Sequence, residues 1–518
     1  MAPERPARHA ELYSLQNGSD VRGVALEGVE GEDVRLNPAR AAAIGAAFAR
    51  WLQKRAPTAN DAETRVALGR DSRLSGESLA SAAAAGARSA GAMPTDVGLA
   101  TTPAMFMSTI TEGYEFDGGV MLTASHLPFN RNGMKFFTSR GGLGSADIAE
   151  VLDIAAQLVD DDELPQESEH SLAPHEDFLP AYAASLRKRI IDGVGAGERP
   201  LEGMAIVVDA GNGAGGFFAG SVLEPLGADV SASQFLEPDG TFPNHIPNPE
   251  DAEAMESCAA AVLRAGADLG VVFDTDVDRS GLVLPDGQQV NRNRLIAALS
   301  AAVLRDSPGA TIVTDSVTSA GLADFIKARG GVHCRYKRGY KNVINKGVEL
   351  NEAGVDCPLM IETSGHGAMR ENYYLDDGAY LAVCLIIEAA RAKRAGGEGL
   401  ASLLDGLKEP AEAKEARLKI MLDDFGPYGD DIIARFIEFC NGSAAPSSWT
   451  SEEVNNEGWR VRVDEGDGKQ GWALLRKSLH DPLLVCNVES DTEGGLEPIL
   501  EALRGFLSQF DKLDISKL

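Results

Sequence analysis

"RVALGRDSRLSGESLASAAAAGARSAGAMPTDVG", residues 65 to 98, runs from a short β-rich segment through a Gly, Ser and Asp loop into an alanine-rich stretch, then past a glycine into another β-rich segment. Strand, loop, helix and strand in that order form the unit from which mixed or parallel sheets covered by helices are built. The pattern returns in AIVVDAGNGAGGFFAGSVLEPLGADVSA (205 to 232) and in TIVTDSVTSAGLADFIKARGGVHCRY (311 to 336). Three α/β domains of related plan, with mixed sheets, are therefore expected. After KEP (408 to 410) the pattern changes: FGPYGDDIIARFIEFCNG reads as a helix, and EGWRVRVDEGDGKQGWALLRKS alternates apolar and polar residues across a Gly/Asp turn, the signature of a hairpin. A smaller C-terminal α+β domain follows. The acidic stretch DDDELPQESEHS (160 to 171) reads as a solvated loop and PAYAASLRKRIIDGV as the helix after it, so the expected domains are 1–190, 191–297, 298–410 and 411–518.

Composition narrows the function classes. The 518 residues are 44% hydrophobic, which suits several globular cores. With 48 Lys+Arg against 78 Asp+Glu the formal charge is −30, so sequence-independent attraction to nucleic acid or to an anionic membrane is excluded, and an anionic ligand needs a local basic site. Six cysteines without a CxxC pair suit reduced, mostly buried thiols rather than a disulfide or zinc framework. No apolar run reaches the ~18 residues a membrane span needs, and the first residues lack a secretory core. A cytoplasmic protein is expected, or a plastid one if a transit peptide has been removed.

Four stretches carry candidate chemistry. In TASHLPFNRNGMKFFT (123 to 138) the apolar lead-in GGVMLTA delivers Ser125 onto an exposed loop; Pro128, Asn130, Asn132 and Gly133 argue against an ordinary strand or helix. His126 and Lys135 lie close by, and a lysine there neutralises a phosphate or donates a proton. In ADLGVVFDTDVDRSG (267 to 281) a strand runs into Asp274, Asp276 and Asp278, whose alternation in extended chain turns three carboxylates to one face, a set that suits magnesium. An EF-hand reading fails, because its sixth position holds Arg279 and its twelfth Pro285. Arg279 suits a phosphate oxygen. In IETSGHGAM (361 to 369) Glu362, Ser364 and His366 alternate along an extended loop and suit a polyol. LLRKSLHDP (474 to 482) reads equally as a phosphate site or as an exposed basic strand edge.

Together these loops resemble the α-D-phosphohexomutase family, which includes phosphoglucomutases and phosphomannomutases. Its phosphoserine loop T-x-S-H-x-P-x-x-x-N-G-x-K is matched at Thr123, Ser125, His126, Pro128, Asn132, Gly133 and Lys135, and its metal loop D-x-D-x-D-R at Asp274, Asp276, Asp278 and Arg279. Its sugar loop G-E-x-S-G-H is matched from Glu362 to His366, with Ile361 in place of the glycine. GSDVRG with Arg22, VALGRDSRLSG, VVDAGNGAG and YLDDG extend the likeness over nearly the whole chain. The last loop departs: R-x-S-G-T-E-P keeps Arg476, Ser478 and Pro482 but has Leu479, His480 and Asp481 in place of G-T-E, which is similar to a branch found in cyanobacteria and plants.

The resemblance implies domains arranged around a central cleft and reversible phosphoryl transfer between O1 and O6 of a hexose, glucose or mannose, through a phosphoserine enzyme and a hexose 1,6-bisphosphate. It implies Ser125, His126, Lys135 and Arg22 as catalytic residues. Ser125, Asp274, Asp276 and Asp278 would hold Mg²⁺; Arg279, Glu362, Ser364 and His366 would bind substrate; Arg476, Ser478 and His480 would bind the distant phosphate. The expected partner is a small-molecule sugar phosphate, bound by a monomer or homodimer, with neither nucleic acid nor membrane. Two rivals stand beside this reading: a glucose 1,6-bisphosphate synthase of the same family, and a non-catalytic sugar-phosphate sensor, against which the intact Ser125 and aspartates argue.

Overall fold

The computed structural model describes residues 6–55, 63–166, 171, 173–397, 399–478 and 481–518. The chain forms two compact units: Met1–Asn291 with Ser364–His366 and Leu375–Leu400, and Arg292–Thr363 with Gly367–Tyr374 and Ala401–Leu518.

The opening segment of the first unit folds as its pattern predicts. Arg65–Arg70 is a strand, Gly76–Ser89 a helix and Met93–Leu99 a second, parallel strand. Gly118–Leu122 pairs parallel on the other side of Arg65–Arg70, and Arg131–Thr138 then runs back antiparallel to it and to Asp20–Val24, giving a mixed sheet. The alanines of Pro38–Arg55 and Gly76–Ser89 are small enough to bring the two helices together in one core with Ile44, Phe48, Leu79 and Phe136. Here the polar run of residues 123–138 differs from expectation: only its first half is a turn, and from Arg131 it is strand, because flanking strands on both sides satisfy its backbone.

A second sheet orders Ile206–Asp209, Leu269–Phe273, Ser280–Val283 and Gln289–Val290, the first pair parallel, with Ala252–Ala265 packed on it behind an Asp251 N-cap. The α-helix expected after Ile206–Asp209 is replaced by short 3-10 and π turns from Ala214 to Leu226, and the strand expected after it is reduced to isolated bridges at Asp229 and Gln234. Gly213, Gly215, Gly216 and Gly220 weaken a regular helix there and Pro225 interrupts it.

In the second unit Val332–Arg335, Thr311–Thr314 and Leu359–Ile361 are parallel neighbours, Gly367–Met369 returns antiparallel, and Ala320–Ala328 starts on its Ser319 cap. The C-terminal part is an antiparallel sheet containing Trp459–Gly466, Lys469–Lys477, Leu483–Ser490 and Glu412–Ile420, with Phe425–Asn441 and Leu496–Leu507 closing a core around Phe436, Leu475 and Leu503. Cys258, Cys357, Cys440 and Cys486 are buried. Among the described residues no helix is long and apolar enough to cross a membrane.

Candidate active site

Ser125 follows directly from the strand Gly118–Leu122, but it is buried at 4% exposure rather than presented on an exposed loop. Its backbone sits in the left-handed region, φ 51°, and its N–H donates to Thr123 Oγ1 at 2.9 Å. A non-glycine residue there is strained, and the surroundings that hold it are visible. Arg73, fully buried, donates through Nη2 to the carbonyls of Ser125 (2.5 Å) and Leu127 (2.5 Å), and through Nη1 to those of Pro128 (2.7 Å) and Arg131 (2.9 Å). One guanidinium thus staples the whole turn. Asp71 Oδ2 lies 3.3 Å from Arg73 Nε; burial pushes the Asp71 carboxyl up to about 6 although Arg73 opposes it.

Ser125 Oγ lies 3.0 Å from Asp274 Oδ2, 3.2 Å from Arg279 Nη2 and 3.3 Å from His126 Nδ1. The aspartates converge at the end of the strand Leu269–Phe273, as expected, but through a turn rather than by alternation along extended chain. Val277 is left-handed at φ 64°, and Arg279 N–H returns to Asp274 Oδ1 at 3.2 Å. Ligand atoms of Asp274, Asp276 and Asp278 all lie within 4.8 Å of one another, and Asp276 Oδ1 and Asp278 Oδ1 are buried without a hydrogen-bond partner among the described residues. Buried, unsatisfied carboxylate oxygens in such a cluster fit a hard divalent cation. Burial and the neighbouring aspartates push the Asp274 carboxyl well above its ordinary range, which is the electrostatic demand a cation would meet.

Lys135, from the strand Arg131–Thr138, meets part of that demand: Nζ donates to Asp278 Oδ2 at 2.6 Å and to Asp276 Oδ2 at 2.9 Å. Thr102, at the start of a short helix, donates its hydroxyl to Asp276 and its N–H to the Asp276 carbonyl at 2.9 Å. His366 Nδ1 sits 2.7 Å from Asp376 Oδ2 and 3.7 Å from Asp278 Oδ1; burial disfavours its charge, but the two carboxylates outweigh burial and raise it to about 9. His126 shows the opposite: burial, then Arg279 and Arg22, hold it down to about 3. Arg22 pairs with Asp20 at 3.0 Å. The helix Gly378–Arg394 begins against this loop, with Gly378 N–H on the Val277 carbonyl at 3.1 Å. A Cβ on Gly378 would stand 2.4 Å from the Arg279 carbonyl carbon.

Ser125, His126, Lys135, the three aspartates, Arg279, Ser364 and His366 belong to the first unit, as does Arg22. The sugar loop is a turn about Gly365 (φ 94°) rather than one extended face, and Glu362 belongs to the second unit, where its Oε1 accepts from Gly339 N–H at 2.6 Å. Arg476 and Ser478 are also in the second unit: Arg476 is buried, and the Ser478 N–H donates to the Leu483 carbonyl at 2.9 Å. Leu479 and His480 lie outside the described residues. Sequence reading missed Arg73, Thr102 and Asp376. Arg73 and Asp376 stood inside quoted motifs, GRDSR and YLDDG, where a charged residue beside a turn was the available signal.

The phosphoglucomutase/phosphomannomutase alpha/beta/alpha domain I matches residues 14–160, domain II matches 181–287 and domain III matches 291–408. The chain belongs to this family. Among similar proteins, a phosphoglucomutase of Neisseria gonorrhoeae is 32% identical over 436 residues, 84% of this chain and 86% of that protein. A phosphomannomutase/phosphoglucomutase of Pseudomonas putida is 31% identical over 445 residues, 85% of this chain and 87% of that one. The crystal structure of a phosphoglucomutase/phosphomannomutase family protein from Burkholderia thailandensis superposes with a TM-score of 0.73 at 28% identity, covering 96% of this chain and 97% of the other. The family models span three α/β domains, and a further β-rich domain lies C-terminal to them.

Proposed function

We propose that this phosphohexomutase-family enzyme interconverts hexose 1-phosphate and hexose 6-phosphate, glucose or mannose, with Ser125 as the phosphoryl carrier and a hexose 1,6-bisphosphate as intermediate. The observation that carries the reading is the buried Ser125 Oγ, 3.0 Å from Asp274 and 3.2 Å from Arg279. In the first transfer the P–Oγ bond of phosphorylated Ser125 breaks as a P–O bond forms to a sugar hydroxyl, whose proton ends on Ser125 Oγ. In the second a P–O bond of the bisphosphate breaks as P–Oγ re-forms, and the proton returns from Oγ to the sugar oxygen released. We assign the proton relay to Lys135. Arg279 stabilises charge on the phosphoryl oxygens, and His126, held neutral, accepts from Arg279 Nη2 at its Nδ1 (2.7 Å) beside Oγ without adding charge. Arg22 and His366 bring positive charge to the sugar phosphate, Glu362 and Ser364 take ring hydroxyls, and Arg476 and Ser478 hold the phosphate that is not reacting. Ser125, Asp274, Asp276 and Asp278 would hold Mg²⁺, which supplies charge neutralisation at the transferring group when bound. The division at residues 190, 297 and 410 is proposed as the functional one, with one loop from each part.

A coupled assay for glucose 6-phosphate formed from glucose 1-phosphate, with mannose 1-phosphate in parallel, tests the reading. No turnover of either substrate by protein primed with glucose 1,6-bisphosphate overturns it. The replacement of G-T-E by Leu479, His480 and Asp481 favours one second reading, glucose 1,6-bisphosphate synthesis. Accumulation of that product from fructose 1,6-bisphosphate and glucose 6-phosphate, faster than mutase turnover, decides for it.

A further inference from the structure

Within the second unit, the turn before Trp459–Gly466 approaches the strand that carries Arg476 unusually closely. Gly458 is left-handed (φ 57°), and a Cβ on it would stand 2.1 Å from the Leu475 carbonyl oxygen and 2.7 Å from Arg476 Cα. A side chain at 458 is excluded, and the approach delivers Glu457 to the guanidinium. Glu457 Oε2 accepts from Ser316 Oγ at 2.6 Å and from the Arg338 N–H at 3.0 Å, while Oε1 faces Arg476 Nη1 at 3.5 Å and makes no hydrogen bond among the described residues. Arg476 is 6% exposed, and its Nε is buried without a hydrogen-bond partner among the described residues.

A carboxylate beside a phosphate-holding arginine repels the phosphate, so it needs a compensating role. The two oxygens divide the work. One ties the Ser316 and Arg338 loops to the C-terminal domain; the other holds the guanidinium by charge at a distance that does not consume its hydrogen bonds. We propose that Glu457 is a positioning residue for the phosphate that is not reacting, fixing the Arg476 guanidinium by charge without taking up a hydrogen bond. This rests on the proposed mutase reading, in which Arg476 grips that phosphate. Glu457 lies well before Arg476 in the sequence, outside the last loop and in a segment with no recognised motif.

The test compares two acceptors. Phosphorylated wild type and Glu457→Gln are discharged by glucose 1-phosphate, which has a distant phosphate, and by glucose, which has none. The expected result for Glu457→Gln is a KM for glucose 1-phosphate raised about tenfold or more, kcat within about twofold, and unchanged discharge by glucose, since a misplaced arginine is felt only through the phosphate it holds. Ser316→Ala, which removes one anchor of Oε2, should move KM the same way by less. An unchanged or lowered KM in Glu457→Gln overturns the proposal, the lowered value meaning that the carboxylate merely repels. Equal slowing with both acceptors also overturns it, as a general structural defect. A wild type that does not turn over glucose 1-phosphate, or an Arg476→Ala variant with wild-type KM, overturns the underlying mutase reading instead, so the two failures are distinct.

Discussion

Ser125 sits among neighbours whose charges compensate one another. Its Oγ touches a carboxylate and a guanidinium, and its strained backbone is held by Arg73. Replacing the hydroxyl, Ser125→Ala, should abolish turnover without unfolding the protein; intact-mass spectrometry of fresh wild type should show a partly occupied phosphate that the variant lacks. A fully active Ser125→Ala would sink the carrier role. Asp276→Asn removes one of three converging carboxylates and should lower activity by about two orders of magnitude or more, with excess EDTA acting similarly on the wild type. Full activity in EDTA would remove the cation from the scheme. Arg73→Met strips four carbonyls of their donor and leaves Asp71 without its ion pair, so urea unfolding should register a loss on the order of 3 kcal/mol. Serine, lysine and aspartates were legible because their side-chain chemistry is itself the signal. Arg73 was not, since Asp71 beside it shows only an ion pair, while the four backbone carbonyls it holds leave no side-chain signature in the sequence.

The helix Gly378–Arg394 shows how one element carries a site it does not itself line. Asp377 caps it, Oδ1 accepting from Tyr380 N–H at 2.9 Å and from the buried Tyr182 hydroxyl at 2.7 Å, so the helix Leu179–Val194 fixes where its neighbour begins. Asp376, which orients His366, is the adjacent residue. Tyr182→Phe leaves the cap in place but removes one donor to a buried carboxylate. A loss of about 1–3 kcal/mol in stability is expected, measured by denaturant titration; no change would mean that water replaces the hydroxyl. At this scale the sequence was readable where period and punctuation agree, as in residues 65–99 and the hairpin of Trp459–Gly466 and Lys469–Lys477. It misled where they conflict. The glycine-rich stretch after Asp209 was apolar enough for a helix but too loosely constrained to form one, and the punctuated stretch after Asn130 became a strand because pairing on both edges overrode local preference.

The whole molecule couples its folding to pH through groups far from Ser125 in sequence. Glu489 is buried; burial pushes its carboxyl up to about 7 from an ordinary 4.5, although Trp472 Nε1 donates to it at 2.6 Å and Arg460, stacked over the Trp472 ring at 3.5 Å, pulls the other way. Because the folded form holds the proton more tightly than the unfolded chain, stability from this group is fully present below about pH 4.5 and is lost as pH rises through about 7. The loss should be on the order of 3 kcal/mol. Glu489→Gln should flatten that part of the stability profile in chemical denaturation; an unchanged slope would assign it elsewhere. The winding of the chain has a consequence for dissecting the gene. The first unit is assembled from Met1–Asn291 and two returning pieces, and the returning pieces bring His366, Asp376 and the helix that starts against the aspartate turn. A fragment stopped at residue 291 would contain Ser125 and every aspartate of the triad, yet would lack the wall they are built against. Such a fragment should be recovered from expression as aggregate or protease-sensitive chain. Supplying residues 292–518 as a separate polypeptide should restore it only if the two halves are made together, because the missing wall must be threaded back during folding rather than docked afterwards.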